Sequence, residues 1–416
     1  MSSATKDAVH VIGKGITSCA VKPSLPCKTP GNERMTSDGS NVGKVMLDAD
    51  AREEVALMER VKNIDPEHLF TLQGVHSCIP KKDAVLIRKA FQEQGCSPSR
   101  FRKTAKDTRL RQLILPYGGI PLALLSSDEL VDSIKHLSNG NVSQAVSILY
   151  TEIARLIYAA KRLRELNMSH CDLHAGNILF NPTTGRFTVI DFGFLQTGKT
   201  VAHFLLGLRG YETNPVPQHP TEMALFVLLA NKDRTLQPLP ILSGDAPEDI
   251  VEAIEEGASG RSETLLRKEL AFLPAENPYR SLSKAMLPEK VPGGDVMFRN
   301  RCRAIVGMRE MTGDAPSTLN KTIKAFRFAI ETIDSFAIGN IIQTILTKVD
   351  MGYPELRETP SYAKLMRVFR MIAGKMSQSN PAERISAEKS LEILVPLQKT
   401  IPQDPRGVNV MSFMGR

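Results

Sequence analysis

The sequence predicts an α+β chain in two lobes, a small β-rich one followed by a larger helical one. At 416 residues it exceeds the size at which a single hydrophobic core stops growing. Short β-branched runs are concentrated before Pro116, whereas the longest apolar stripes of helical period lie after Ser143. Apolar residues make up 42% and charged residues 24%, which excludes a disordered, collagenous or coiled-coil chain.

In the first lobe, 1–116, a β-branched run at 9–12 is broken by Gly13-Lys14-Gly15 and resumes at Cys19-Ala20-Val21, which reads as strand, glycine turn, strand. Pro23 ends the second strand, and the Pro, Gly, Ser and Asn of 24–41 predict an exposed loop before a third strand at 42–46. A helix follows, with Asp50 as its N-cap, Glu53 at its third position and Val55, Met58 and Val61 along one face. Ile114-Leu115-Pro116-Tyr117-Gly118-Gly119 is a strand running into a flexible connector between the lobes.

The second lobe, 117–416, opens its long elements with a helix at 143–166 whose stripe is Ile153, Leu156, Ile157, Ala160 and Leu163. Strands at 178–180 and 187–190, joined through Asn181-Pro182-Thr183-Thr184-Gly185, form a hairpin. Recurrent prolines mark 231–320 as an insertion with a short helix at 248–256. The stretch 325–346 is apolar nearly all round, as in a helix buried mid-domain, and the proline-bearing tail 396–416 is expected to fray.

The net charge of +8, from 53 basic and 45 acidic residues, favours anionic partners without choosing among them. Lys and Arg crowd 81–111, which reads as a solvated face or as a docking patch for an acidic partner. Only Phe91 and Phe101 interleave with those charges, which argues against nucleic acid. The six cysteines are scattered without CxxC pairs, so reduced thiols in a cytosolic protein are expected, without structural zinc. A polar start and the lack of any run of about 18 apolar residues predict neither signal peptide nor transmembrane helix.

The chemistry concentrates in His170-Cys171-Asp172-Leu173-His174-Ala175-Gly176-Asn177-Ile178-Leu179-Phe180, followed after one hairpin by Val189-Ile190-Asp191-Phe192-Gly193. Phosphoryl transfer needs a base beside the acceptor hydroxyl, magnesium across the phosphates and stabilisation of charge, and these carboxylate and amide groups meet that need. The two segments resemble the catalytic loop and metal-binding triplet of the protein kinase superfamily. The resemblance implies a two-lobed protein-kinase-like fold binding ATP and Mg2+, with Asp172 as base and Asn177 and Asp191 as metal ligands. It further implies that Gly13, Gly15 and Ser18, standing for a third glycine, cover the phosphates. Lys44 would hold the α and β phosphates, paired with Glu54 in preference to Glu53 or Glu59, and the backbone around Leu115 and Tyr117 would bind adenine.

Farther on, His219-Pro220-Thr221-Glu222 resembles the end of an activation segment, and Asn380-Pro381-Ala382-Glu383-Arg384 the late helix whose arginine pairs with that glutamate. The resemblance assigns Asp334 to anchoring the backbone near His170. Cys19-Ala20-Val21-Lys22-Pro23, Pro116-Tyr117-Gly118-Gly119 and the insertion are most similar to the serine/threonine kinases of nucleocytoplasmic large DNA viruses. That implies a protein substrate and the cytoplasm of an infected host cell, or the virion. Two positions depart from the kinase pattern: Cys171 replaces an arginine, and His174, a candidate catalytic residue, replaces a phosphate-contacting lysine. Asp-Leu-His-Xaa-Gly-Asn also resembles aminoglycoside and choline kinases, so a small-molecule kinase remains an alternative, as does a catalytically silent kinase-fold binding protein.

Overall fold

The computed structural model describes residues 10–15, 17–28, 41–72, 74, 76–98, 109–197 and 331–414. The insertion 231–320, its helix at 248–256 and residues 325–330 lie outside the described residues. The chain forms two compact units, one holding the residues up to Pro121 with Ile178–Gly193, the other Leu122–Asn177 with the residues from Phe194 onward. The first is built on an antiparallel sheet and the second on helices, so the α+β class expected of a kinase-like chain is observed.

In the first unit β1 (His10–Lys14), β2 (Ser18–Lys22), β3 (Asn41–Leu47), β4 (His76–Cys78) and β5 (Leu110–Pro116) form one sheet, ordered β1-β2-β3-β5-β4. The glycine turn begins later than expected. Gly13 and Lys14 remain on β1 opposite Ala20 and Cys19, past a bulge, and the bend closes where Gly15 N–H donates to the Ser18 carbonyl at 2.9 Å. β3 runs straight into α1 (Asp48–Ile64), which has no side-chain cap. Asp50 is therefore in the first turn rather than capping it. Asp48 makes the junction, ion-paired to Arg111 at 2.5 Å and to Arg52 at 2.8 Å, and those bonds hold its carboxyl below the usual range against the opposing effect of burial.

Alternation along β3 sorts its side chains between the two faces of the sheet. Val45 and Leu47 join Cys19, Val21 and Leu110 in a core completed by Ile87 and Phe91 of α2 (Ala84–Glu93). Met46, of opposite parity, packs with Leu113 against Ala51 and Val55 of α1. The sequence reading missed α2 because its basic surroundings hid two apolar residues spaced i, i+4. Asp83 caps it, accepting from Val85 N–H at 2.7 Å.

Four of the cysteines do not stay reduced. Cys19 bridges Cys96 and Cys27 bridges Cys78, with Cα–Cα distances of 6.2 and 5.8 Å, while the buried Cys171 is outside any disulfide. The partners are 77 and 51 residues apart in sequence, so only the sheet and α2 bring them together. Residues 24–28, expected to be exposed, are instead partly interred, with Ser24, Leu25 and Cys27 buried. The wholly buried Gln112 holds them, accepting from Leu25 N–H at 3.0 Å and donating back to the Leu25 carbonyl. Gly43 makes room, since a Cβ there would lie 2.6 Å from the Gln112 oxygen.

The same unit contains a three-stranded sheet of β6 (Ile120–Pro121), β8 (Ile178–Asn181) and β9 (Arg186–Val189); the intervening β7 (Met168–Ser169) belongs to the second unit. Asn181 builds the hairpin turn by accepting from Thr183 and Thr184 N–H at 3.0 and 3.2 Å. Gly119, at φ +117°, must be glycine: a Cβ would stand 2.0 Å from the Phe180 carbonyl oxygen.

The second unit centres on α4 (Val142–Glu165), buried along most of its length, with α3 (Ser127–Leu137), α5 (Ile333–Gly352), α6 (Pro360–Met376) and α7 (Ala387–Leu394) around it. α3, not foreseen from the sequence, starts with a Ser126–Glu129 capping box. α5 extends beyond 346 to Gly352, where a Cβ would meet the Ser127 carbonyl at 2.9 Å, and Gly339 admits α6 in the same way. Unlike the all-round burial expected, α5 leaves Gln343, Thr347 and Met351 exposed. Nor does the tail stand free. A 3-10 turn at Val395–Thr400 and the short α8 (Met411–Met414) return to α4, where Ser147 donates to the Pro402 carbonyl at 2.8 Å and Phe413 meets Tyr158 at 5.5 Å between rings.

Candidate active site

Within the second unit, β7 pairs with β10 (Gln196–Thr197) and delivers the chain to the loop at 170–177. His170 and Cys171 are buried, and Cys171 adopts φ +62°, a conformation uncommon for a residue with a side chain. Asp334 holds it there, accepting from His170 N–H at 2.8 Å and Cys171 N–H at 3.3 Å. Burial pushes the Asp334 carboxyl up to about 6, opposed by those two backbone bonds. Burial, with help from Asp334 and Asp172, also raises the Cys171 thiol, so this cysteine is no thiolate nucleophile.

The loop then closes on itself. Asn177 donates through its side-chain NH2 to the Asp172 carbonyl at 2.8 Å and to its carboxylate at 3.1 Å, which leaves its Oδ1 as the oxygen to offer a cation. Gly176 N–H donates to His174 Nδ1 at 2.9 Å, so the neutral ring carries its proton on Nε2, which lies 3.8 Å from Asp172 Oδ1. Asp172 and His174 are both partly exposed. The 3-10 turn Ala175–Asn177 is fastened by Ala123 N–H donating to the Ala175 carbonyl at 3.0 Å.

In the first unit, Lys44 Nζ lies 2.5 Å from Glu54 Oε1. Strand parity turns Lys44 to the α1 face with Met46, and Glu54 lies one helical turn after Ala51 on that face, so it rather than Glu53 or Glu59 meets the lysine. Gly13 is on β1 and Gly15 at the bend. Ser18 opens β2 and is buried, facing Met46 across the ladder. Leu115 pairs with Val42, and Lys22 Nζ stands 3.6 Å above the Tyr117 ring. Asp191 is exposed at φ +61°, just past β9, and Gly193 leaves space for it, since a Cβ there would be 3.3 Å from Asp191 Oδ1.

Asp65 was not foreseen from the sequence. It is buried after α1 and its carboxylate accepts from Leu69, Phe70 and Thr71 N–H at 2.8, 2.9 and 2.9 Å, while the Phe70 carbonyl accepts from Val189 N–H at 2.7 Å. It thereby supports the strand that leads to Asp191. Asp65-Pro66 signals only a turn, and nothing local reveals what the carboxylate caps.

Among the described residues, no cluster of three or more His, Cys, Asp or Glu could hold a metal. Taken singly, the Asn177 amide oxygen and the Asp191 carboxylate are each the kind of hard oxygen that suits magnesium, an ion commonly held by one or two protein groups together with substrate phosphates and water. Arg384 donates to the Gln378 carbonyl at 3.0 and 2.8 Å and to Thr332 Oγ1 at 3.1 Å; Glu222, its expected partner, lies outside the described residues.

A family model described as the phosphotransferase enzyme family matches residues 143–215, a span that includes all but the first residue of α4, the loop at 170–177, the hairpin and Asp191. No curated protein matches the chain. The match supports phosphotransferase chemistry, with a protein or a small molecule as acceptor.

Proposed function

We propose that this chain is an ATP- and magnesium-dependent kinase that phosphorylates protein hydroxyls, on serine or threonine. The observation that carries the reading is the closed loop from Asp172 to Asn177, hung on a buried carboxylate at Asp334. Asp172 accepts the proton of the acceptor hydroxyl, and Asn177 restrains it through the side-chain amide. Asn177 and Asp191 would hold magnesium, which supplies charge neutralisation across the phosphates. Lys44, kept in place by Glu54, binds the α and β phosphates beneath the Gly13–Gly15 bend, and the backbone at Leu115 and Tyr117 takes adenine. His174 presents Nε2 beside Asp172, where it contacts the transferred phosphoryl group in place of lysine.

The resemblance of Glu222, Asp334 and Arg384 to the protein-kinase constellation favours a protein acceptor. The phosphotransferase family match and His174 favour the second reading, a small-molecule kinase. The viral placement rests on the Cys19–Pro23 and Pro116–Gly119 motifs and the insertion. The two disulfides weigh against a persistently reducing compartment, so we place the mature protein in an oxidising setting such as a virion. The test is transfer from labelled ATP with magnesium to a panel of proteins, compared with aminoglycoside and choline acceptors. Transfer to serine or threonine supports the reading, and transfer only to small molecules overturns it.

A further inference from the structure

α5 carries a polar stripe on an otherwise apolar helix: Asn340, Gln343, Thr344, Thr347 and Lys348, spaced three and four apart. With Ser127 at the start of α3 and Ala175 in the catalytic loop, these residues line an open groove of about 660 Å³. Ala175 connects the groove to the chemistry, being three residues beyond Asp172 in the turn whose Asn177 side chain holds that aspartate.

The groove's chemistry selects among acceptors. A site for a cationic acceptor such as an aminoglycoside or choline needs carboxylates or aromatic faces. Among the described residues the lining has neither, and its one charge there is the Lys348 ammonium, which donates to the Leu125 carbonyl at 2.5 Å and keeps two further N–H groups. The Thr344 and Thr347 hydroxyls donate back to helix carbonyls at 3.0 and 2.9 Å, leaving their oxygens as acceptors. Ser127 and the Asn340 amide make no side-chain hydrogen bond among the described residues. Donors and acceptors thus alternate over the nine residues from Asn340 to Lys348, about 12 Å of helix, the length of about four residues of extended chain. A peptide backbone offers the matching alternation.

We propose that this groove seats the acceptor as an extended peptide whose side chains flanking the phosphosite are neutral or acidic. The proposal rests on the phosphotransferase reading above.

The test uses the full-length protein with ATP, magnesium and two serine peptides that differ only in flanking residues, acidic in one and basic in the other. The readout is the ratio of kcat/KM for the two peptides, which cancels any loss of folded protein. The expected preference for the acidic peptide is about fivefold, the scale of one exposed charge contact. Lys348→Glu should reverse it, and Thr347→Glu, which spares the Lys348–Leu125 bond, should erase it even if Lys348→Glu folds poorly. Preference for the basic peptide, an unchanged ratio in the variants, or transfer to choline or an aminoglycoside and to neither peptide overturns the proposal. A wild-type chain that turns over no more ATP than Asp191→Ala would instead overturn the phosphotransferase reading, and the groove's role with it.

Discussion

Asp334 places a carboxyl where no water reaches it, and its two backbone donors do not fully offset that desolvation. Its pKa of about 6 in the folded chain lies above the ordinary range, so the folded state holds the proton more tightly than the unfolded chain. Its contribution to stability is therefore full below about pH 4 and lost as pH rises through 6, on the order of 3 kcal/mol. Melting temperatures of wild type and Asp334→Asn between pH 4 and 8 check this. The wild-type advantage should shrink from pH 4 to 6.5 and stay flat above 7, and a difference that grows with pH would exclude the assignment. Asp191→Ala and Asp172→Asn should each lose phosphoryl transfer while keeping the wild-type melting temperature, because both groups are at least partly exposed and carry no core packing. Near-normal turnover by Asp172→Asn would remove it as the base. These residues were legible because their motif is contiguous. Asp65 and Gln112 were not, since each is defined by backbone it meets only after folding.

At the scale of elements, both disulfides tie β2 and the segment after it to the stretch from β4 to the end of α2. Each closes a long loop in the unfolded chain, so losing one should cost about 2–5 kcal/mol. Melting with and without reductant, and of Cys19→Ser and Cys27→Ser variants, measures this; equal melting temperatures in both conditions would mean that the bridges contribute nothing. The strands, α1, α4 and the hairpin were readable from apolar period and turn residues. α2 and α3 were not, because in helices this short the apolar residues do not mark one face cleanly: in α2 Ile87 and Phe91 are buried while Val85 and Leu86 stand exposed beside them. The true end of α5 also depended on Gly352 meeting α3, a contact no local pattern encodes.

Across the whole molecule, the tail illustrates how burial overrides composition. Arg406 lies 2.9 Å from Glu152 and 2.6 Å from Asp404, and Arg155 meets the same buried Glu152 at 2.8 Å. Arg406→Ala, or ending the chain after residue 401, should therefore destabilise the second unit by about 3–5 kcal/mol, as when one partner of a buried pair is removed. Thermal melting and limited proteolysis read the effect, and an unchanged melting temperature would mean that the tail is dispensable. Alone, the sequence determined the α+β class and the order of the main strands and helices, and it singled out the 170–193 motif as the candidate site, because periodicity, turn chemistry and contiguous motifs are local. Tertiary structure alone decided the disulfide pairing, the backbone that Asp65 and Gln112 hold, the docking of the tail and the polar groove on α5. Each of these depends on which distant residues share a face, and that is set by packing rather than by neighbours in sequence.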